Sequence, residues 1–329
     1  MVDKLYYNTT LSQTFSPCGN YLVAGNIYGE LAVFDIANIL NPPDGATQPM
    51  KAFTHFMAPR DEQICSLAKT DNFLIVGTVG EITGWDWSTI GQNKHPKLSW
   101  TIQIPVTRDS FEKPDVNAMA VAENEATGMT MLYAGCGDKK IHVFNLEDGK
   151  HVRSMEGHDD YIHSIDQQGN QLVSAGEDGA VRLWDLRQKS LTAVVTPHTQ
   201  PKVERPSLGK WIGDAALSDD WLVCGGGPRL SLWHLRTMDV MASFNSVEDS
   251  GLHVTRFHED KIIAGGTAPN LYHLSLTGDV SSQIQVSSTT VFSVCIQDSP
   301  HHVMCIAGSS PNIDLCTNFA YRDQVLSFA

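Results

Sequence analysis

One pattern recurs seven times along this chain of 329 residues and leaves few folds open. Each unit has an apolar run, a Gly or Ala, a short turn, an alternating strand and a large closing residue. The units read YLVAGNIYGELAVFDI, FLIVGTVGEITGWDW, MLYAGCGDKKIHVFNL, QLVSAGEDGAVRLWDL, WLVCGGGPRLSLWHL, KIIAGGTAPNLYHLSL and a degenerate HVMCIAGSSPNIDLCTN. Their closing residues are Phe34, Trp85, Phe144, Trp184, Trp233, Leu274 and Cys316, spaced by 51, 59, 40, 49, 41 and 42 residues. Period-2 segments precede and follow every unit, TLSQTF and KAFTHF around the first, WIGDAAL and VMASF around the fifth. Alternation with β-branched residues marks strands, and no stretch shows a 3.6-residue period.

Four short strands per unit, repeated at a mean step near 47 residues, predict an all-β, seven-bladed β-propeller of the WD-repeat kind, with four antiparallel strands per blade. Length alone favours two domains, but a repeat reduces the count to one, spanning 1–329. The blades fall near 9–56, 63–104, 116–156, 161–196, 211–245, 252–287 and 290–328. Ring closure is expected from packing of blade one on blade seven, unless residues 4–8 add a strand.

Composition narrows the function classes. Apolar residues at 42% and charged residues at 18% fit a folded chain. Acids number 37 against 23 Lys and Arg, a net charge of −14 that repels phosphate, so strong direct nucleic-acid binding is not expected. No apolar run approaches the ~20 residues that span a bilayer, and the N-terminus MVDKLYYNTT has no secretory apolar region, so no membrane association is expected. The seven cysteines are dispersed, without a CxxC, and read as thiols of a reducing compartment, nucleus or cytosol.

Blade four alone carries a complete set of polar residues: GHDDYIHS, then SAGEDGAVRLWDLR. His158, Ser174 and Asp178 have the residue types of a hydrolase triad. Ser174 lies inside an apolar strand, however, and the chain has no GxSxG elbow. In the WD-repeat proteins that this stretch resembles, the matching residues form a buried chain from Trp184 through Ser174 and His158 to Asp178. A buried Trp N–H needs such a partner. No catalytic residue, metal site or cofactor is therefore expected: the thirteen His form no HExxH, and GCGDKK reads as a turn rather than a phosphate cradle.

One residue at the head of each inner strand should face the surface where blades connect: Thr10, Gln63, Asp115, Tyr161, Trp211, His253 and Thr290. Aromatics fall there on adjacent blades, Tyr161 and Trp211, with Asp159, Glu177 and Arg229 as a polar rim. Exposed aromatics of this sort anchor protein interfaces. The Pro-rich segments 105–115 and 197–210 belong to the same face, with Arg205 and Lys210 left open as a weak RNA contact. Connections 41–49 and 88–96 read as solvated loops on the other.

The runs GKWIGDAALSDDWLVCGGGPRLSLWHLR, TFSPCGNYLVAGNIYGELAVFD and DLCTNFAYRDQVLSF, with the blade-four motif, resemble the THO complex subunit 6 family. The likeness covers nearly the whole chain and is tightest over 157–236. It implies a non-catalytic propeller of a nuclear assembly, the THO part of TREX, which couples transcription and processing to export of messenger RNA. It further implies docking on the coiled-coil subunits 5 and 7. A second reading starts from the same motif: the sixteen residues that begin at Leu172 and end at Arg187 are similar to the box by which some WD-repeat proteins bind the adaptor of cullin–RING ubiquitin ligases, with Arg187 as the contact.

Overall fold

The structure is a computed structural model describing residues 4–41, 50–91, 95–106, 113–125, 127–188, 191–247 and 251–328. Seven sheets follow one another in chain order, each built on four antiparallel strands counted inner to outer, the arrangement of a seven-bladed β-propeller; the seventh takes up a fifth strand. Blade four runs Ile162–Gln168, Gln171–Gly176, Val181–Asp185 and Leu191–Val195. The chain divides into two compact units, one of Met1–Pro105 with Ile284–Ala329, the other of Val106–Gln283.

The closing residues explain the repeat. Each pairs with one fixed position of the second strand: Leu22 with Phe34, Leu74 with Trp85, Leu132 with Phe144, Leu172 with Trp184, Leu222 with Trp233, Ile262 with Leu274 and Met304 with Cys316. All of these side chains are buried. A large residue here fills the space between one sheet and the next, and burial of such a side chain contributes about 1.5–3 kcal/mol. In blades two to five the register toward the outermost strand slips at this residue, a bulge that twists the sheet locally.

In the first unit, blades one and seven share a core that includes Phe15, Leu22, Phe34, Cys305, Leu326 and Phe328. The expected packing of blade one on blade seven is present, and a strand pairing adds to it. Residues 4–7 form a 3-10 helix and not a strand. The segment KAFTHF does not act as one outer strand either: Met50–Lys51 pairs parallel with blade seven at Leu326 and Ser327, and Thr54–Met57 pairs with blade one. Backbone hydrogen bonding thus joins the two blades. Ile36–Leu40, of which only Ile36 falls within a repeat unit, is one turn of helix capped by Asp35, whose carboxylate accepts from the Asn38 amide; Ile36 and Ile39 are buried under it. Of the connections read as solvated loops, residues 42–49 and 92–94 lie outside the described residues, as do 107–112 of the Pro-rich 105–115 segment.

In the second unit, inner strands are stitched by side chains that hydrogen-bond to the next blade. Asp166 takes the Leu217 amide at 2.8 Å and Ser164 the Ala215 amide at 3.2 Å. Asp214, fully buried, takes the Thr255 amide at 2.8 Å and the Arg256 guanidinium at 2.7 Å. Asn117 donates to the Ile162 carbonyl at 2.9 Å.

Candidate functional site

The blade-four residues are brought together as one hydrogen-bonded chain. The Trp184 indole N–H donates to Ser174 Oγ at 2.9 Å, and Ser174 Oγ lies 2.8 Å from His158 Nε2. His158 Nδ1 faces Asp178 at 3.0 Å. Asp178 also accepts from the Asp159 and Ala180 amides. Burial opposes its ionisation, but the bonds from His158 and these amides outweigh that and hold the carboxyl well below its ordinary range. Burial lowers His158 despite Asp178, favouring the neutral ring that a relay from Ser174 to Asp178 requires. Ser174 is 0% exposed and its oxygen is committed on both sides, so no substrate carbonyl reaches it. The arrangement is a brace and not a nucleophile.

Sequence reasoning missed a fifth member. Arg182 is buried and donates to Asp178 at 2.6 Å, four residues along. An Arg within an apolar strand, on the face of Ser174, was the available signal: Ser174 and Arg182 are cross-strand partners.

The presumed surface row is partly shifted. In six blades a backbone amide donates to the carbonyl of the residue before the first strand, which identifies Asp115, Tyr161, Trp211 and Thr290 as equivalent. The same bond in blades one and six involves Thr9 and Gly251, so Thr10 and His253 were misaligned by one and two residues. Thr10 is buried rather than surface-facing. A bulge at the head of each of these inner strands adds a residue and hides the slip from simple alternation.

Tyr161 is 53% exposed. Trp211 is half-buried: its N–H donates to the Leu208 carbonyl at 2.9 Å, and its ring stacks on His253 at 5.1 Å and 23°. Gly251 makes this possible, since a Cβ there would stand 3.0 Å from the indole. Burial next to Trp211 brings His253 down to about 4. Of the expected rim, Asp159 is exposed, Glu177 meets His163 at 2.9 Å, and Arg229 reaches back to the Glu204 carbonyl at 3.3 Å.

Segment 197–210 proves to be structural. Arg205, left open as an RNA contact, is only 7% exposed and donates to the carbonyls of Gly226, Gly227 and Pro228. Arg187 lies at the opposite end of blade four from Tyr161, with its guanidinium held by Asp185 at 2.9 and 2.8 Å. It rims a cleft of about 340 Å³ with Glu125, Tyr133 and Leu186. A second cleft of about 340 Å³ lies beside Tyr161, walled by Asp115, Asn117 and Asp138.

Fold, buried brace and the aromatic pair of Tyr161 and Trp211 define a WD-repeat propeller. The WD domain, G-beta repeat family model matches residues 149–185, the blade with the complete brace. The chain is 37% identical to THO complex subunit 6 homolog of Danio rerio over 99% of both chains. It is 37% identical to THO complex subunit 6 of Drosophila melanogaster, over 97% of this chain and 89% of that one. Against THO complex subunit 6 of Homo sapiens the identity is 36%, over 97% and 93%. The chain belongs to the THO complex subunit 6 family.

Proposed function

We propose that this protein is a non-catalytic scaffold subunit of the nuclear THO/TREX complex, which couples transcription and processing to messenger RNA export, and that it docks on other THO subunits. The coiled-coil subunits 5 and 7 are the partners. The observation that carries the docking face is the aromatic pair at equivalent places on adjacent blades, Tyr161 exposed and Trp211 stacked on His253. Rigid aromatics next to a polar rim lose little entropy on binding. Asp159 and Glu177 supply that rim, which suits a partner helix with basic side chains.

The test is recovery of THO subunits from nuclear extract by the tagged full chain, against Tyr161→Ala and Trp211→Phe. Tyr161→Ala removes an exposed ring and should leave stability within about 0.5 kcal/mol. Loss of subunits 5 and 7 with an unchanged melting temperature supports function and face. Equal recovery removes the face and leaves the function standing. Absence of THO subunits removes the function.

A second reading has one observation in its favour: Arg187 is 67% exposed and rims a cleft. Recovery of a cullin–RING adaptor, abolished by Arg187→Ala, would replace the first reading with that of a ligase substrate receptor.

A further inference from the structure

Blade three departs from blade four in a chemically consistent direction. The strand registers make Ala134 equivalent to Ser174, Cys136 to Gly176 and His142 to Arg182, and the turns make Asp138 equivalent to Asp178. In blade four, Gly176 lies under the Tyr161 carbonyl, which a Cβ would meet at 2.4 Å, with His158 Nδ1 next at 3.4 Å. Blade three has no Gly-His pair before its first strand, and a thiol grows from the position that Gly176 leaves bare. The Arg that neutralises Asp178 becomes a His. A guanidinium cannot ligate a metal and glycine has no side chain to do so, whereas His and Cys can.

The result is a cluster of three donors. One ligand atom each from Cys136, Asp138 and His142 lies within 4.8 Å of the others. Cys136 is buried, His142 is 2% exposed, and Asp138 is half-buried at the edge of the cleft beside Tyr161. His142 Nε2 faces Asp138 Oδ2 at 2.9 Å, so a proton sits between two potential ligands. The other ring nitrogen faces Ser154 Oγ at 3.0 Å, and Ser154 Oγ meets His151 Nε2 at 3.1 Å. An outer-layer partner on the second nitrogen is what fixes a ligating imidazole's tautomer and orientation. The Cys136 thiol is directed at the Ala134 carbonyl at 3.6 Å.

We propose that Cys136, Asp138 and His142 form a binding site for a zinc-class divalent cation. Tetrahedral bonds of about 2.0–2.3 Å set donor atoms roughly 3–4 Å apart, so closing the cluster takes side-chain adjustments of about 1 Å and no change in the turn. The cation displaces the thiol proton, and the imidazole proton moves from Nε2 to Nδ1, where Ser154 Oγ accepts it. Three protein ligands leave one position, which water reaches through the cleft at Asp138. Thiolate, imidazole and carboxylate together favour zinc over magnesium or calcium, which take oxygen donors.

The test uses cobalt(II) as a spectroscopic stand-in for zinc on the full chain. The expected result is one bound equivalent with a thiolate-to-cobalt absorption band, displaced by zinc and not by magnesium. Cys136→Ser should abolish the band, and His142→Gln should weaken binding by roughly 100-fold or more, beyond the ~10-fold expected for Ser154→Ala. Asp138→Asn keeps a hydrogen bond to His142 and guards against loss of fold; it should retain the band at weaker affinity, with the metal-free melting temperature unchanged. No band in the parent chain, or a band that survives Cys136→Ser, overturns the site.

Discussion

The brace around Asp178 makes the residue scale testable. Replacing His158 with Leu leaves Ser174 and Asp178 each short of a buried partner, at an expected cost of about 3 kcal/mol, read from the urea midpoint. Three histidines predict the response to pH. Burial lowers His158, and brings His253 and His273 down to about 4 each. The unfolded chain, with values near 6.5, takes up protons that the folded chain refuses. Their stabilisation is therefore complete above about pH 6.5 and lost as pH falls toward the folded values. Between pH 7 and pH 5 the folded state should lose about 1–2 kcal/mol for each of His253 and His273. Asp178, held low, matters only in stronger acid. A His273→Phe chain should show a visibly shallower loss, and an unchanged slope would exonerate that residue. At this scale much was legible. Trp184, Ser174, His158 and Asp178 have fixed spacings in a strand-turn-strand, so their meeting follows from local geometry. Arg182 was passed over because a charged residue in a strand reads as an outward-facing one until its cross-strand neighbours are known. The Cys136–Asp138–His142 cluster went unread because Cys-x-Asp-x₃-His matches no metal spacing; its closeness comes from the turn and the pairing of Ala134 with His142.

Elements show where local pattern stops being informative. The inner strands were visible from alternation, but the bulge at their heads moved Thr10 and His253 out of the row assigned to them. Pairing of Met50–Lys51 with residue 326 carries no local signal, since the two segments lie at opposite ends of the chain. Asp214 is a similar case: an acid between Gly213 and Ala215 in an apolar strand, whose partners are in the next blade. Asp214→Ala strands the Thr255 amide and the Arg256 guanidinium together, and should cost about 3–4 kcal/mol in equilibrium denaturation. The Lys140–Glu156 pair is the contrast. Its distance is equally short, 2.7 Å, but Glu156 is open to water, so Glu156→Ala should cost less than about 0.5 kcal/mol. If the two variants were equally harmful, interblade stitching would not be what distinguishes them.

For the whole molecule, charge sets the expected partners. With −14 overall and Arg205 committed to carbonyls, the isolated chain should give no polarisation change with a labelled single-stranded RNA up to roughly 10 μM protein at physiological salt. The C-terminal strand Gln324–Ser327 holds both Asn312–Cys316 and Met50–Lys51. Deleting residues 323–329 should therefore make the first unit sensitive to protease while fragments of 106–283 persist, as read by limited proteolysis and mass spectrometry. The same short parallel strand has a temporal meaning. A chain emerges from the ribosome N-terminus first, at about 5–20 residues per second. The second unit is one continuous stretch, complete as soon as residue 283 is made. Met50–Lys51, although made well before it, has no strand to pair with until Leu326 and Ser327 follow. The pairing that joins blades one and seven is thus made after the second unit is complete, and until then those unpaired strand edges are open to whatever chaperone or partner stands nearest.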